Sequence, residues 1–318
     1  MLSRTADGLF WLARYMERSA SVARLVQVGN RMSNMSLSLD NPGNEWRSTL
    51  VATGTEPGYL AKHGEVVPSL VLDYLVLDPE NPSSIVSCIE TARRNGRAVR
   101  TALTVDTWEA LNETWQLTRG MKADRLAADS LPGLLDWVAQ RSLLFCGSYA
   151  NTMLRNDSYL FTHLGTLLER ADNTARILDV KYHVLLPDHE GVGGVLDYYQ
   201  WQSILRAVSA LRSYHWVYHD RLKPWLIAEL LILKPEMPRS LVACLAHVVD
   251  LLEALAVRYG GQRGECHRLA GEIHARLRYG RVEDIFQFGL HEYVTQFIDD
   301  MLRLGQEISA FYLNVRST

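Results

Sequence analysis

The sequence predicts an all-α fold of two pseudo-repeated helical halves, packed as one large helical bundle-like domain. Three observations predict it. Apolar residues recur at three- and four-residue spacing almost throughout, sustained strand-like alternation is hard to find, and one charged pattern occurs twice about half a chain apart.

The elements follow in order. Leu9, Leu12, Met16, Ala20 and Ala23 mark one side of a first helix. Trp11, Tyr15, Val22, Leu25 and Val26 leave it almost no polar side, and a helix apolar nearly all round belongs in a core. The segments near 36–45 and 53–65 are polar, contain Gly and Pro, and read as connections flanking a helix at 46–52. Helices are expected at 67–77, 83–101, 106–120 and 131–154. Leu160, Leu164, Leu167, Leu168, Ala171, Ala175 and Leu178 then repeat the first helix's pattern. After a further connection at 186–196, helices follow at 199–219, 223–233, 239–258, 265–277 and 284–314. Pro79 and Pro82, like Pro235 and Pro238, end one helix and open the next, because proline is tolerated in a first turn but not in an interior.

The repetition is collinear. Glu17, Arg18 and Arg24 find counterparts in Glu169, Arg170 and Arg176, 152 positions on. Trp46 and Leu50 match Trp201 and Leu205 at an offset of 155. L-V-L-D-P-E-N-P-S-S-I-V-S-C, residues 75–88, matches L-I-L-K-P-E-M-P-R-S-L-V-A-C, residues 231–244, at 156. A slowly drifting offset is what duplication with small insertions leaves, giving pseudo-repeats of about 1–155 and 156–318 within a single domain spanning 1–318. Each Glu-Arg helix is too apolar to face water, so the halves are expected to intertwine rather than separate.

Composition excludes several classes. The 318 residues include 47% hydrophobic and 22% charged, an ordinary globular balance. A net charge of −3 with no basic run argues against nucleic acid. Arg4, Asp7 and Arg14 interrupt any apolar leader, and the apolar stretch 224–235 carries Glu229 and is too short for a bilayer, so no membrane contact and a cytoplasmic location are expected. Cys88, Cys146, Cys244 and Cys266 show neither C-x-x-C nor zinc spacing, and read as small buried hydrophobes. No metal site is expected.

The chemistry concentrates on the Glu-Arg helices. Glu17 and Arg24 are seven residues apart, which returns within about 20° on a helix and separates them by about 10 Å. Glu169 and Arg176 stand in the same relation, with Asp172 and Asn173 in the stripe between them where the first copy has Ala20 and Ser21. Arg18 and Arg170 point about 100° away. Charges in so apolar a setting must be paired. One reading is a buried network that fixes the register of the halves. The other is a polar pocket whose arginines clamp a carboxylate or phosphate. The denser second stripe favours a pocket of Glu169, Arg170, Asp172, Asn173 and Arg176, with His163 and His183 near its ends, while Glu17, Arg18 and Arg24 serve structure.

M-L-S-R-T-A-D-G-L-F-W-L-A-R-Y-M-E-R, residues 1–18, and L-G-T-L-L-E-R-A-D-N-T-A-R-I-L-D, residues 164–179, resemble the alpha-E family, an all-helical domain of unknown function named for a Glu-Arg motif. The resemblance runs in order over essentially the whole chain. It implies an all-α fold and an association with circularly permuted ATP-grasp proteins and transglutaminase-like proteases, hence peptide ligation or modification. The expected partners are therefore an ATP-grasp ligase and a transglutaminase-like protease. No intrinsic cofactor is expected, ATP and Mg entering through the ligase. The family's first motif usually continues Ala-Glu-Asn, whereas this chain reads Ser19-Ala20-Ser21. The role expected is a helical partner or co-catalytic subunit of a ligase acting on peptides or amino acids. The alternatives are a self-sufficient enzyme with Glu169 as acid/base and Arg170 and Arg176 as clamp, or a purely structural assembly protein.

Other constellations carry less. His215 and His219 sit at the i, i+4 spacing of two metal ligands, but a third ligand is not evident, and surface histidines are the simpler reading. Cys266-His267 with His274 is weaker still. P-D-H-E-G-V-G-G, residues 187–194, precedes no G-K-[ST] and follows no strand, so it reads as a linker.

Overall fold

A computed structural model describes residues 1–35, 44–185 and 195–313. All regular elements in them are helical. The first half holds α1 (Ser3–Met35), α2 (Asn44–Thr53), α3 (Glu56–His63), α4 (Pro68–Val76), α5 (Ile85–Ala98), α6 (Val105–Thr118) and α7 (Leu131–Thr152). The second holds α8 (Asp157–Leu185), α9 (Val195–Ala207), α10 (Leu211–Tyr218), α11 (Pro224–Ile232), α12 (Leu241–Arg258), α13 (Glu265–Arg278), α14 (Val282–Phe288) and α15 (Leu290–Ile308).

The two Glu-Arg helices form the axis of the molecule. α1 packs against α8, α5, α7 and α2, and α8 packs against α1, α12, α15 and α2. The all-round apolar character of α1 is accounted for, since Leu9, Phe10, Leu12, Met16, Leu25 and Val26 are all buried although they point in different directions. The largest core cluster runs from Ala6 to Leu313 and draws on both halves, so the chain packs as one helical body. The two helices come close at Gly165, where an added Cβ would stand 2.3 Å from the Phe10 carbonyl oxygen.

Local details recur along with the element order. The Tyr59 hydroxyl donates to Glu65 O and accepts from Val67 N, ahead of Pro68 in the first turn of α4. The Tyr214 hydroxyl donates to Arg221 O and accepts from Lys223 N, ahead of Pro224 in α11. Ser84 caps α5 by accepting from Ser87 N, and Ser240 caps α12 by accepting from Ala243 N, each at 3.1 Å. The Cys88 and Cys244 thiols face Pro82 O and Pro238 O. α2 ends at Gly54 with φ 70° and α9 ends at Ser209 with φ 59°, a left-handed turn that costs nothing at glycine and is strained at serine.

Several boundaries differ from expectation. The connection at 53–65 contains α3, which buries Tyr59 against Tyr74. The helix expected at 199–219 breaks at Ser209 into α9 and α10, and that expected at 284–314 breaks at Gly289, φ 106°, into α14 and α15. Residues 36–43 and 186–194, most of the other two expected connections, lie outside the described residues. No helix among the described residues is long and apolar enough to cross a membrane.

Candidate functional site

Where α1 crosses α8, the two Glu-Arg motifs exchange partners. Glu17 of α1 accepts from Arg170 of α8 at 3.3 Å (Nε) and 3.2 Å (Nη2). Reciprocally, Glu169 of α8 accepts from Arg18 of α1 at 2.5 Å (Nε) and 3.1 Å (Nη2). Each carboxylate then takes a second guanidinium from a different source. Arg239, just before the cap of α12, reaches Glu17 at 2.9 Å, while Arg14 of α1 reaches Glu169 at 2.8 Å. Both glutamates are about 1% exposed. Burial alone would push the Glu17 carboxyl up, but Arg170 and Arg239 together hold it far below the usual carboxylate range. Glu169 is likewise raised by burial and lowered further by Arg18 and Arg14, so it stays ionised.

The second motif keeps space beside this joint. A cavity of about 210 Å³ is lined by Arg18, Thr53, Gly54, Ser83, Glu169, Asp172, Asn173 and Arg176 together with Val22 and Leu25. Arg176 Nε donates to Asp172 Oδ2 at 2.7 Å, and its Nη1 donates to Ala52 O at 3.2 Å. Asn173 is 5% exposed, and its side-chain amide nitrogen has no partner among the described residues. An unmade hydrogen bond at a buried amide costs about 1–3 kcal/mol, so this donor is suited to an acceptor at the cavity.

The first copy is arranged otherwise. Arg239 stands 156 positions from Ser83, each directly before a helix-capping serine. Where Ser83 leaves the cavity open, the Arg239 side chain extends onto Glu17. Arg24, the counterpart of Arg176, has Ala20 in place of an aspartate, and its buried Nη1 has no partner among the described residues. Burial and the neighbouring Arg239, only partly offset by Glu17, bring its guanidinium down to about 10.

Of the residues expected at the pocket, Glu169, Asp172, Asn173 and Arg176 are brought together. Arg170 is turned onto Glu17 and does not line the cavity, whereas Arg18, expected to be structural, does. His163 packs away from it, bonded through Nδ1 to the Tyr149 hydroxyl at 3.0 Å, and burial brings it down to about 4. The His183 side chain lies outside the described residues. The i, i+4 ligand pair is not assembled, because His219 leaves the helix at φ 49° and caps α10. Among the described residues no group of three or more His, Cys, Asp or Glu is placed to hold a metal.

Sequence reasoning missed Arg14, Thr53, Gly54, Ser83 and Arg239. The signal for the last two was present as a mismatched column in the aligned repeat, Ser83 against Arg239 in otherwise matching Pro-x-Ser frames. A serine facing an arginine at equivalent places marks unequal occupancy of twin sites.

A comparison with known families also points to a Glu-Arg motif. Residues 1–313 match Alpha-E, described as a predicted alpha-helical domain with a conserved ER motif. The chain belongs to the Alpha-E family. Similar curated proteins include the uncharacterized proteins Mb2597 of Mycobacterium bovis and Rv2567 of Mycobacterium tuberculosis, each 25% identical over 308 residues. The match covers 89% of this chain and 33% of each relative, so the chain spans about a third of their length. No solved structure matches this Alpha-E chain.

Proposed function

We propose that this Alpha-E chain is a helical partner or co-catalytic subunit of an ATP-grasp-type ligase system acting on peptides or amino acids, with ATP and Mg²⁺ entering through the ligase. In this reading the cavity on α8 holds a polar group of the substrate. The observation that carries it is the buried, unpartnered Asn173 amide facing a cavity of about 210 Å³, space suited to a small polar group rather than a whole peptide. In the relatives the matching region makes up a third of a longer chain, a setting that suits a domain working beside others.

The competing readings fit the geometry less well. Glu169 is held ionised by two arginines, so it has no proton to give near neutral pH and is a weak base. A purely structural stripe would be dry and self-paired, which suits the first copy's Glu17 but not the Asn173 amide beside its cavity.

The test is a ligation assay with this chain and an ATP-grasp protein, together and each alone, with product mass measured. The mixture is expected to form an amide product that neither protein forms alone, and Asp172→Ala should reduce it at least about tenfold. Equal turnover by the ligase alone, or turnover by this chain alone, would reject the partnership.

A further inference from the structure

We infer that the cavity on α8 receives a cationic group, a guanidinium or ammonium with an oxygen acceptor close to it, in the place that Arg239 fills in the twin site. This deepens the reading of the cavity as a ligand site and rests on that part of it alone, not on the ligase.

The twin supplies the template. On one side of the crossing, Glu17 is contacted by the guanidinium of Arg170 and by that of Arg239. On the other, Glu169 is contacted by Arg18, the counterpart of Arg170, but the place of Arg239 is taken by Ser83, whose short side chain is neutral. Arg14 compensates on one oxygen, since it donates to Glu169 Oε2, which Arg18 Nη2 also reaches. Glu169 Oε1 accepts from Arg18 Nε alone among the described residues. A carboxylate oxygen has room for a second donor. The scaffold that presents Arg239 to Glu17 is therefore repeated around Glu169 with the guanidinium left out.

The charges agree. The closed side sets Arg24, Arg170 and Arg239 around Glu17, two positive charges in excess. The open side sets Arg14, Arg18 and Arg176 around Glu169 and Asp172, one in excess. The extra carboxylate at Asp172, absent from the first copy, offsets one of these positive charges and offers a cation an acceptor oxygen. The arginines lining the cavity are each engaged through two of their three nitrogens. Arg18 is committed to Glu169, and Arg176 to Asp172 and the Ala52 carbonyl. What remains at the cavity are acceptor positions on Glu169 and Asp172, the Ser83 hydroxyl, the Asn173 amide, and the guanidinium nitrogens of Arg18 and Arg176 that these pairings leave over. That set matches a ligand with a cationic head and an oxygen beside it, as at the amino terminus of a peptide or on an amino-acid amide.

The experiment is calorimetric titration of the intact chain with methylguanidinium, methylammonium and L-argininamide, and in parallel with acetate and inorganic phosphate. Saturable binding of the cations at one site is expected, tightest for L-argininamide, with neither anion binding. Asn173→Ala should remove the advantage of L-argininamide over methylguanidinium. Ser83→Arg, which restores the twin's guanidinium in cis, should weaken cation binding at least about tenfold while the thermal midpoint holds or rises. Asp172→Asn, which keeps the shape, should weaken it comparably. Binding of acetate or phosphate in preference to the cations would overturn the assignment while leaving a ligand site in place. Binding of none of the probes would overturn both. Cation binding that survives Ser83→Arg and Asp172→Asn unchanged would place it elsewhere and reject the assignment.

Discussion

Glu17 and Glu169 are buried under paired guanidinium groups, and His163 is buried neutral against Tyr149; together they set the acid response of the fold. The unfolded His163 titrates near 6.5, about 2.5 units above its folded value of about 4. Between those values the unfolded chain binds the extra proton, so stability rises with pH there. His163 thus contributes fully above about pH 6.5, up to about 3 kcal/mol, and loses that contribution as pH falls toward 4. The glutamates, whose folded values are depressed, contribute fully above about 4.3 and are lost only below it. Acid unfolding should therefore show a shoulder followed by a steeper loss. His163→Gln, which keeps a polar partner for the Tyr149 hydroxyl, should flatten the shoulder and leave the lower loss in place. His274, also lowered by burial, retains a smaller contribution of the same sign. Urea midpoints measured from pH 7.5 to 3.5 check this, and an unchanged shoulder in the variant would reject the role given to His163.

At the scale of elements, the crossing of α1 and α8 depends on Gly165. Replacing a helix-interior glycine with alanine gains roughly 0.5–1 kcal/mol of intrinsic helix stability. Against that, the new Cβ would stand 2.3 Å from the Phe10 carbonyl and 3.3 Å from the Ala13 side chain. A backbone atom cannot rotate away, and overpacking typically costs about 1–3 kcal/mol. The clash wins, and Gly165→Ala should lower the thermal midpoint, whereas Gly133→Ala, with open space at its Cβ, should not. Equal midpoints would mean the helices do not meet as closely as described. The elements themselves were largely legible, because amphipathic spacing and paired prolines mark α4, α5, α11 and α12. Less legible were α3, which is short and opens on Glu56-Pro57 in a polar stretch, and the break at Ser209, where a non-glycine residue takes a left-handed turn that local propensity disfavours.

At the scale of the molecule, caps, tyrosine bridges and left-handed turns recur from one half to the other. The charged pattern in the sequence pointed to the joint between the halves and to Asp172 and Asn173 as the difference between them. It did not show that Arg18 and Arg170 trade carboxylates, because partners 151 and 153 residues apart cannot be paired from periodicity alone. Nor did it place His163, whose distance from the site follows from helix rotation rather than from sequence proximity. The central claim is a division of labour: the Glu17 side is a closed structural joint and the Glu169 side keeps an open site. The most direct measurement is thermal unfolding of Glu17→Ala and Asp172→Ala side by side, each titrated with L-argininamide. Glu17→Ala strands Arg170 and Arg239 and should cost about 3–5 kcal/mol while the folded fraction still binds. Asp172→Ala, at the cavity's edge, should keep a near-normal midpoint and lose binding. A collapsed fold in Asp172→Ala together with a stable, non-binding Glu17→Ala would contradict the account.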